Sequence, residues 1–414
     1  MESGMADLAA RLTKRLADAN SDRNLVFSPL SIHAVLALLA AGAGRDTLEE
    51  ILRVLGAQSR SELEASVALL RDGPLRDRWE SGEPSVAFAC GVWSDLTQPL
   101  KQAYVDAVVS SYKADAAAVD FLRAPEGKWS LPFYEQRFDF RFEVFFRPKP
   151  RWPNFGHFQK FRPKFVKSDQ FRPKIDFTPG RDGRNSVEIH FFGRKSKHSL
   201  RELDQEQALL PAGRHRLDVP FMSNYNRHYI AEHDGFKVLK LRYKSSSPPY
   251  TSMCIFLPDA CDGLGSLLEK MTSSPGFLRE HLPTSMAVVV KFGVPKFELT
   301  FEGSVTDVLK DLGLALPFGE GANLSEMMKD MHVQVQDVFH KAVIEVNEEG
   351  IRAAAITMAF PAPATCSALR PPVVDFVADH PFAYCIVKEG SHAVLFGGHV
   401  VDPGNGHVQA CVLR

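Results

Sequence analysis

Two periods of apolar spacing alternate along this chain, and the changes between them mark its elements. The run Leu25-Val26-Phe27 reads as a short strand, and Ile32, Val35, Leu36 and Leu39 then follow helical spacing. Ser28 suits the N-cap between them. Pro29 suits the first helical position, where its missing N–H has no helical partner. Gly42 and Gly44 end the run. Thr47-Leu48-Glu49-Glu50 has the form of a capping box and predicts a second helix opening there and running through Leu55. Further helices are predicted over 59–71 and 99–111, and strands over 85–93 and 116–121. The back half is richer in strands, at 238–243, 252–257, 286–292, 296–300 and 334–346, interrupted by helices over 263–271 and 304–312. Strands grouped together with helices segregated from them argue for an α+β fold of mixed and antiparallel sheets, in one domain spanning 1–414.

Composition narrows the classes. At 45% hydrophobic the chain has ample apolar mass for a large core, and its net charge of −1 gives no electrostatic reason to expect nucleic acid or a membrane as partner. Asp7, Arg11, Lys14 and Arg15 interrupt the first apolar stretch, which reads as an amphipathic helix and not a secretory leader. That predicts a cytoplasmic protein and leaves extracellular action open. Cys90, Cys254, Cys261, Cys366, Cys385 and Cys411 are scattered without metal-ligand spacing, so free thiols and no metal or cofactor are expected. A nucleophile elbow, a P-loop and a dinucleotide fingerprint are all missing, and the chain does not read as an enzyme.

The most informative stretch follows the strand predicted over 334–346. Glu348, Glu349 and Gly350 lead into Ile351, Arg352, Ala353, Ala354 and Ala355, and then into a loop-like segment containing Pro361, Pro363, Ala364 and Thr365. Small side chains beside a loop make sense if that segment must enter a packed sheet. In an inserted strand one face would carry Ile351, Ala353, Ala355, Thr357 and Ala359, all small enough to bury except Ile351, which is apolar.

Residues 343–355 resemble the hinge of the serpins, especially the plant type. Three other stretches add to the likeness in order: Asn24 to Ile32, Val294 to Thr300, and Val394 to Pro403. The resemblance covers about 1–122 and 217–403. It implies a serine protease inhibitor, with cysteine proteases as further possible targets, acting as a monomeric suicide substrate through a reactive loop at 350–374. It also implies a sheet-opening cluster at Ser28, Ser31 and His340, which an asparagine from a neighbouring strand normally joins. By the family's spacing the reactive bond is Ala364–Thr365. Arg370 is the alternative, although Pro371 behind it resists most trypsin-like enzymes. Pro361 and Pro363 each lack a ladder donor, which points to a second reading as a non-inhibitory or degenerate serpin.

Residues 123–216 depart from that pattern. Three Phe-Arg-Pro-Lys units begin at Phe146, Phe161 and Phe171, and this density of proline predicts an irregular insert over 130–200 in place of the family's sheet-crossing helix and following strand. On that reading the central sheet has a gap beside the strand at 334–346. Aromatics interleaved with Arg and Lys could also stack on single-stranded nucleic acid, a remote third reading.

Overall fold

The computed structural model describes residues 2–72, 89–112, 114–119, 140–146, 206–209, 217–223, 227–243, 248, 250–274, 276–329, 333–346, 373–404 and 407–409. Eight α-helices are described: α1 (Glu2–Ala19), α2 (Pro29–Gly42), α3 (Arg45–Leu55), α4 (Arg60–Asp72), α5 (Gln102–Ala107), α6 (Leu264–Ser273), α7 (Phe277–His281) and α8 (Thr306–Asp311). The helical run after α5 widens into a π-turn at Val108–Tyr112. A central six-stranded sheet holds β2 (Ala89–Asp95), β3 (Asp115–Val119), β4 (Phe140–Phe146), β12 (Phe297–Ser304), β13 (Val335–Val346) and β17 (His407–Gln409), in the order β17-β12-β13-β4-β2-β3. A seven-stranded sheet holds β1 (Leu25–Phe27), β7 (Arg227–His233), β8 (Phe236–Arg242), β9 (Thr251–Pro258), β10 (Met286–Val288), β15 (Phe382–Lys388) and β16 (Ala393–Val400). Four short strands, β5 (Glu206–Leu209), β6 (Leu217–Met222), β11 (Phe292–Pro295) and β14 (Phe376–Val377), make a third sheet.

The core sits around α2, which is buried almost throughout its length because apolar residues surround it on every side. It packs against β2, β4 and β16, so it joins the central sheet to the seven-stranded one. The Asn24 and Val394 stretches interlock here. Asn24 Oδ1 accepts from the Val401 and Asp402 N–H groups at 2.7 and 2.9 Å, and His399 Nε2 lies 2.9 Å from the Arg23 carbonyl and 3.1 Å from that of Asn20. Gly398 is required at this seam. A Cβ there would stand 1.9 Å from the Leu25 carbonyl oxygen, which already accepts the Tyr384 hydroxyl at 3.1 Å.

Two sequence expectations need correction. Thr47 and Glu50 do not form a capping box, because α3 opens two residues before Thr47, with Gly44 as its cap. The pair serves a distant loop instead: Thr47 Oγ1 accepts from the Asn323 N–H at 2.9 Å, and Glu50 Oε1 accepts from those of Ala315 and Leu316. The tertiary partner outweighed the local one. The second correction concerns the predicted gap in the central sheet. Phe140–Phe146, from within the presumed irregular insert, is strand β4 and lies between β13 and β2. Phe138, Phe140, Phe142, Val144 and Phe146 alternate with Asp139, Arg141, Glu143 and Phe145, a period-2 signal hidden beside the prolines. Most of 123–216 lies outside the described residues.

Cys90, Cys254 and Cys385 are buried free thiols and Cys261 is exposed, as expected for unpaired cysteines. Gly398→Ala is expected to destabilise the protein by about 1–3 kcal/mol, since the new methyl must push β1 from β16. Equilibrium urea unfolding checks this, with Gly397→Ala as control, because a Cβ at Gly397 meets its first neighbour at 3.6 Å.

Candidate functional site

The element that carries the predicted hinge is β13. Its buried positions alternate with more exposed ones, as expected of a strand with one face on the core. On one side β12 pairs with it antiparallel, from Phe297 opposite Val346 to Ser304 opposite Phe339. On the other side β4 pairs with it, also antiparallel, from Phe140 opposite Ala342 to Phe146 opposite Val335. The base of β13 is clamped to the start of α8. Asp337 Oδ1 accepts from the Ser304 and Thr306 hydroxyls, and Thr306 Oγ1 accepts from the Val338 N–H at 2.9 Å. Higher up, Lys341 and Glu302 pair across the ladder at 3.5 Å.

Ser28, Ser31 and His340 come together beneath the centre of this sheet. Ser28 caps α2: its Oγ accepts from the Ser31 N–H at 3.3 Å and from the Ser31 hydroxyl at 2.8 Å. The Ser28 N–H donates to His340 Nε2 at 3.1 Å, which fixes the neutral ring in the tautomer protonated at Nδ1. Gly303 is the β12 residue opposite His340, and the ring packs against Phe301 at 5.8 Å between centroids. Burial holds the imidazole neutral by pushing its pKa down to about 3. Sequence reasoning missed the Asp337 clamp and β4. The clamp leaves no local signature, because its donors and acceptor lie some thirty residues apart.

The hinge residues Glu348, Glu349, Gly350, Ile351, Arg352, Ala353, Ala354 and Ala355 lie outside the described residues, as do Ala364, Thr365 and Arg370. The chain is described up to Val346, at the end of β13, and again from Val373, which bridges Val288 in parallel.

The three-sheet α+β fold, with the long strand β13 inside its central sheet, suits the serpin class, and comparison with known proteins agrees. The profile of the family described as Serpin (serine protease inhibitor) matches residues 3–130 and 189–403. A rice protein (Oryza sativa subsp. japonica) assigned as serpin-Z8 is 43% identical, over 97% of this chain and 96% of its own. Serpin-Z2B of the same plant is 38% identical over 97% of each chain. Arabidopsis AtSerpin1, solved in its native stressed conformation, superposes with a TM-score of 0.74 at 27% identity, covering 97% of this chain and 98% of its own. The chain belongs to the serpin family.

The buried histidines predict acid sensitivity. Burial lowers the pKa of His340 to about 3 and of His33 and His228 to about 4, and it lowers that of His399 as well, although backbone hydrogen bonds oppose it there. The unfolded chain takes up these protons near pH ~6.5 and the folded protein does not. Their contribution to stability is therefore full above about pH 6.5 and is lost as pH falls towards 3–4, at up to about 1.4 kcal/mol per histidine per pH unit. Urea unfolding from pH 7 to 4.5 should show this fall. His340→Asn should lower stability at pH 7 and flatten the slope by about one proton.

Proposed function

We propose that this serpin is a suicide-substrate inhibitor of serine endopeptidases, with Ala364–Thr365 as the bond it offers and cysteine endopeptidases as further targets. One observation supports this above the rest. β13 ends at Val346 inside a packed sheet, and one alternating face of the sequence that follows, Ala353, Ala355, Thr357 and Ala359, is small enough to enter such a sheet. In the proposed reaction the protease's serine oxygen attacks the Ala364 carbonyl carbon. The Thr365 nitrogen leaves with a proton from the protease's histidine, and Ala364 stays bound as an ester. Insertion of Gly350 to Phe360 beside β13 then carries the ester away before water can hydrolyse it. Small Ala364 suits an elastase-like pocket. Ser28, Ser31 and His340 sit where they would have to yield as the sheet opens, and the protein is taken to act as a cytoplasmic monomer.

A second, non-inhibitory reading rests on Pro361 and Pro363, which lack ladder donors near the end of the segment that would insert. The two readings separate on incubation with an elastase-like enzyme. The first expects an SDS-resistant complex and a released fragment beginning at Thr365. The second expects cleavage without a complex. Ala353→Arg should convert an inhibitor to a substrate, because a charge on the buried face costs several kcal/mol unless paired. If Ala353→Arg forms complex as readily as the unmodified protein, insertion past Ala353 is not part of the mechanism.

A further inference from the structure

We propose that His233 and His281 together bind one late first-row divalent cation, Zn²⁺ above all, at the end of the β7–β8 hairpin. His233 closes β7 and His281 closes α7, and both rings are half-buried. Each ring has one nitrogen committed to a backbone carbonyl. His233 Nε2 lies 3.0 Å from the His281 carbonyl oxygen, and His281 Nδ1 lies 2.8 Å from that of Phe277. A carbonyl only accepts, so in the neutral ring the committed nitrogen carries the proton and the other keeps its lone pair. Among the described residues, neither His233 Nδ1 nor His281 Nε2 has a hydrogen-bond partner, and neither is sealed from solvent. Metal-binding histidines have this arrangement, in which a carbonyl on one nitrogen fixes the tautomer and aims the lone pair of the other.

The spacing of the rings suits a shared ion. Their centroids are 4.8 Å apart, with 66° between the planes. A metal bound at about 2.0 Å from nitrogen sits about 3.1 Å from the ring centre, so these two rings would enclose about 100° at the ion. That angle lies between a square-planar and a tetrahedral one. Direction agrees with distance. Both committed nitrogens face the backbone of α7, so the free ones, across each ring, face away from it. Phe236 stacks on His233 at 4.9 Å and Phe277 on His281 at 4.1 Å, and these two phenylalanines are buried 5.8 Å apart. Rings wedged in this way are already ordered for a ligand. Asp234 and Glu280, beside them in the chain, are exposed carboxylates whose charge favours a cation, with Arg279 opposing. Imidazole selects zinc, copper and nickel over magnesium and calcium. Among the described residues no group of three or more metal-ligating side chains stands together, so here the protein supplies two ligands and water the rest. The two ligands are 48 positions apart, and no local motif announces them.

The test uses the full-length protein, stripped of metal with EDTA and desalted. In titration calorimetry with Zn²⁺, His233→Gln and His281→Gln should each lose one equivalent of binding, or weaken it by at least about tenfold. Loss in neither variant, or in only one, would overturn the shared site. Because either substitution could disturb α7, the unmodified protein is also footprinted with diethylpyrocarbonate, which acylates a free imidazole nitrogen, and the product is mapped by mass spectrometry. Without metal both His233 and His281 should react. Zn²⁺ should protect both with one midpoint concentration, and Mg²⁺ should protect neither. Failure of either ring to react without metal, protection of one ring alone or of neither by Zn²⁺, or equal protection by Mg²⁺ would overturn the proposal.

Discussion

A hydrogen bond between a backbone amide and a buried neutral imidazole joins the start of the main core helix to the central sheet. The Ser28 N–H and His340 Nε2 lie far apart in sequence, yet their contact fixes the start of α2 against the middle of β13. The N-terminus of a helix has amides with no helical partner, and one of them finds its acceptor here. The acceptor exists only while the ring stays unprotonated, which burial enforces. Gly303 opposite the ring and Phe301 beside it bring β12 into the same arrangement. Helix seating, strand register and ring protonation thus share one contact.

That coupling is matched by a second anchor at the base of the same strand. The lower end of β13 is clamped through Asp337 to Ser304 and Thr306, while its far end, Val346, is held by its pairing with Phe297. A strand anchored at its base can accept a new neighbour near its exit without losing its own register.

Much of the fold was legible in the sequence wherever one short stretch held all the relevant physics. Ser28 followed by Pro29 announces a helix start, and the alternation from Val335 to Val346 announces a strand; both are present as read. The failures have a common cause. Thr47 and Glu50 looked like partners of each other because their spacing fits a local motif, yet both bond to residues more than two hundred and sixty positions away. β4 was hidden because prolines around it dominated the reading, although its own seven residues contain none. As for the site, the sequence pointed to Ser28, Ser31 and His340, which the structure brings into contact. It was silent on the occupant beside β13, because occupancy depends on pairing between distant segments and not on any one of them.

The origin of β4 has a consequence for how the central sheet is completed. β4 comes from a stretch that the family profile leaves unmatched, yet it pairs on one side with β13 and on the other with β2. Because it is tethered to the same chain, it meets the sheet at an effective concentration that dilution cannot change, and the sheet stays complete however dilute the protein.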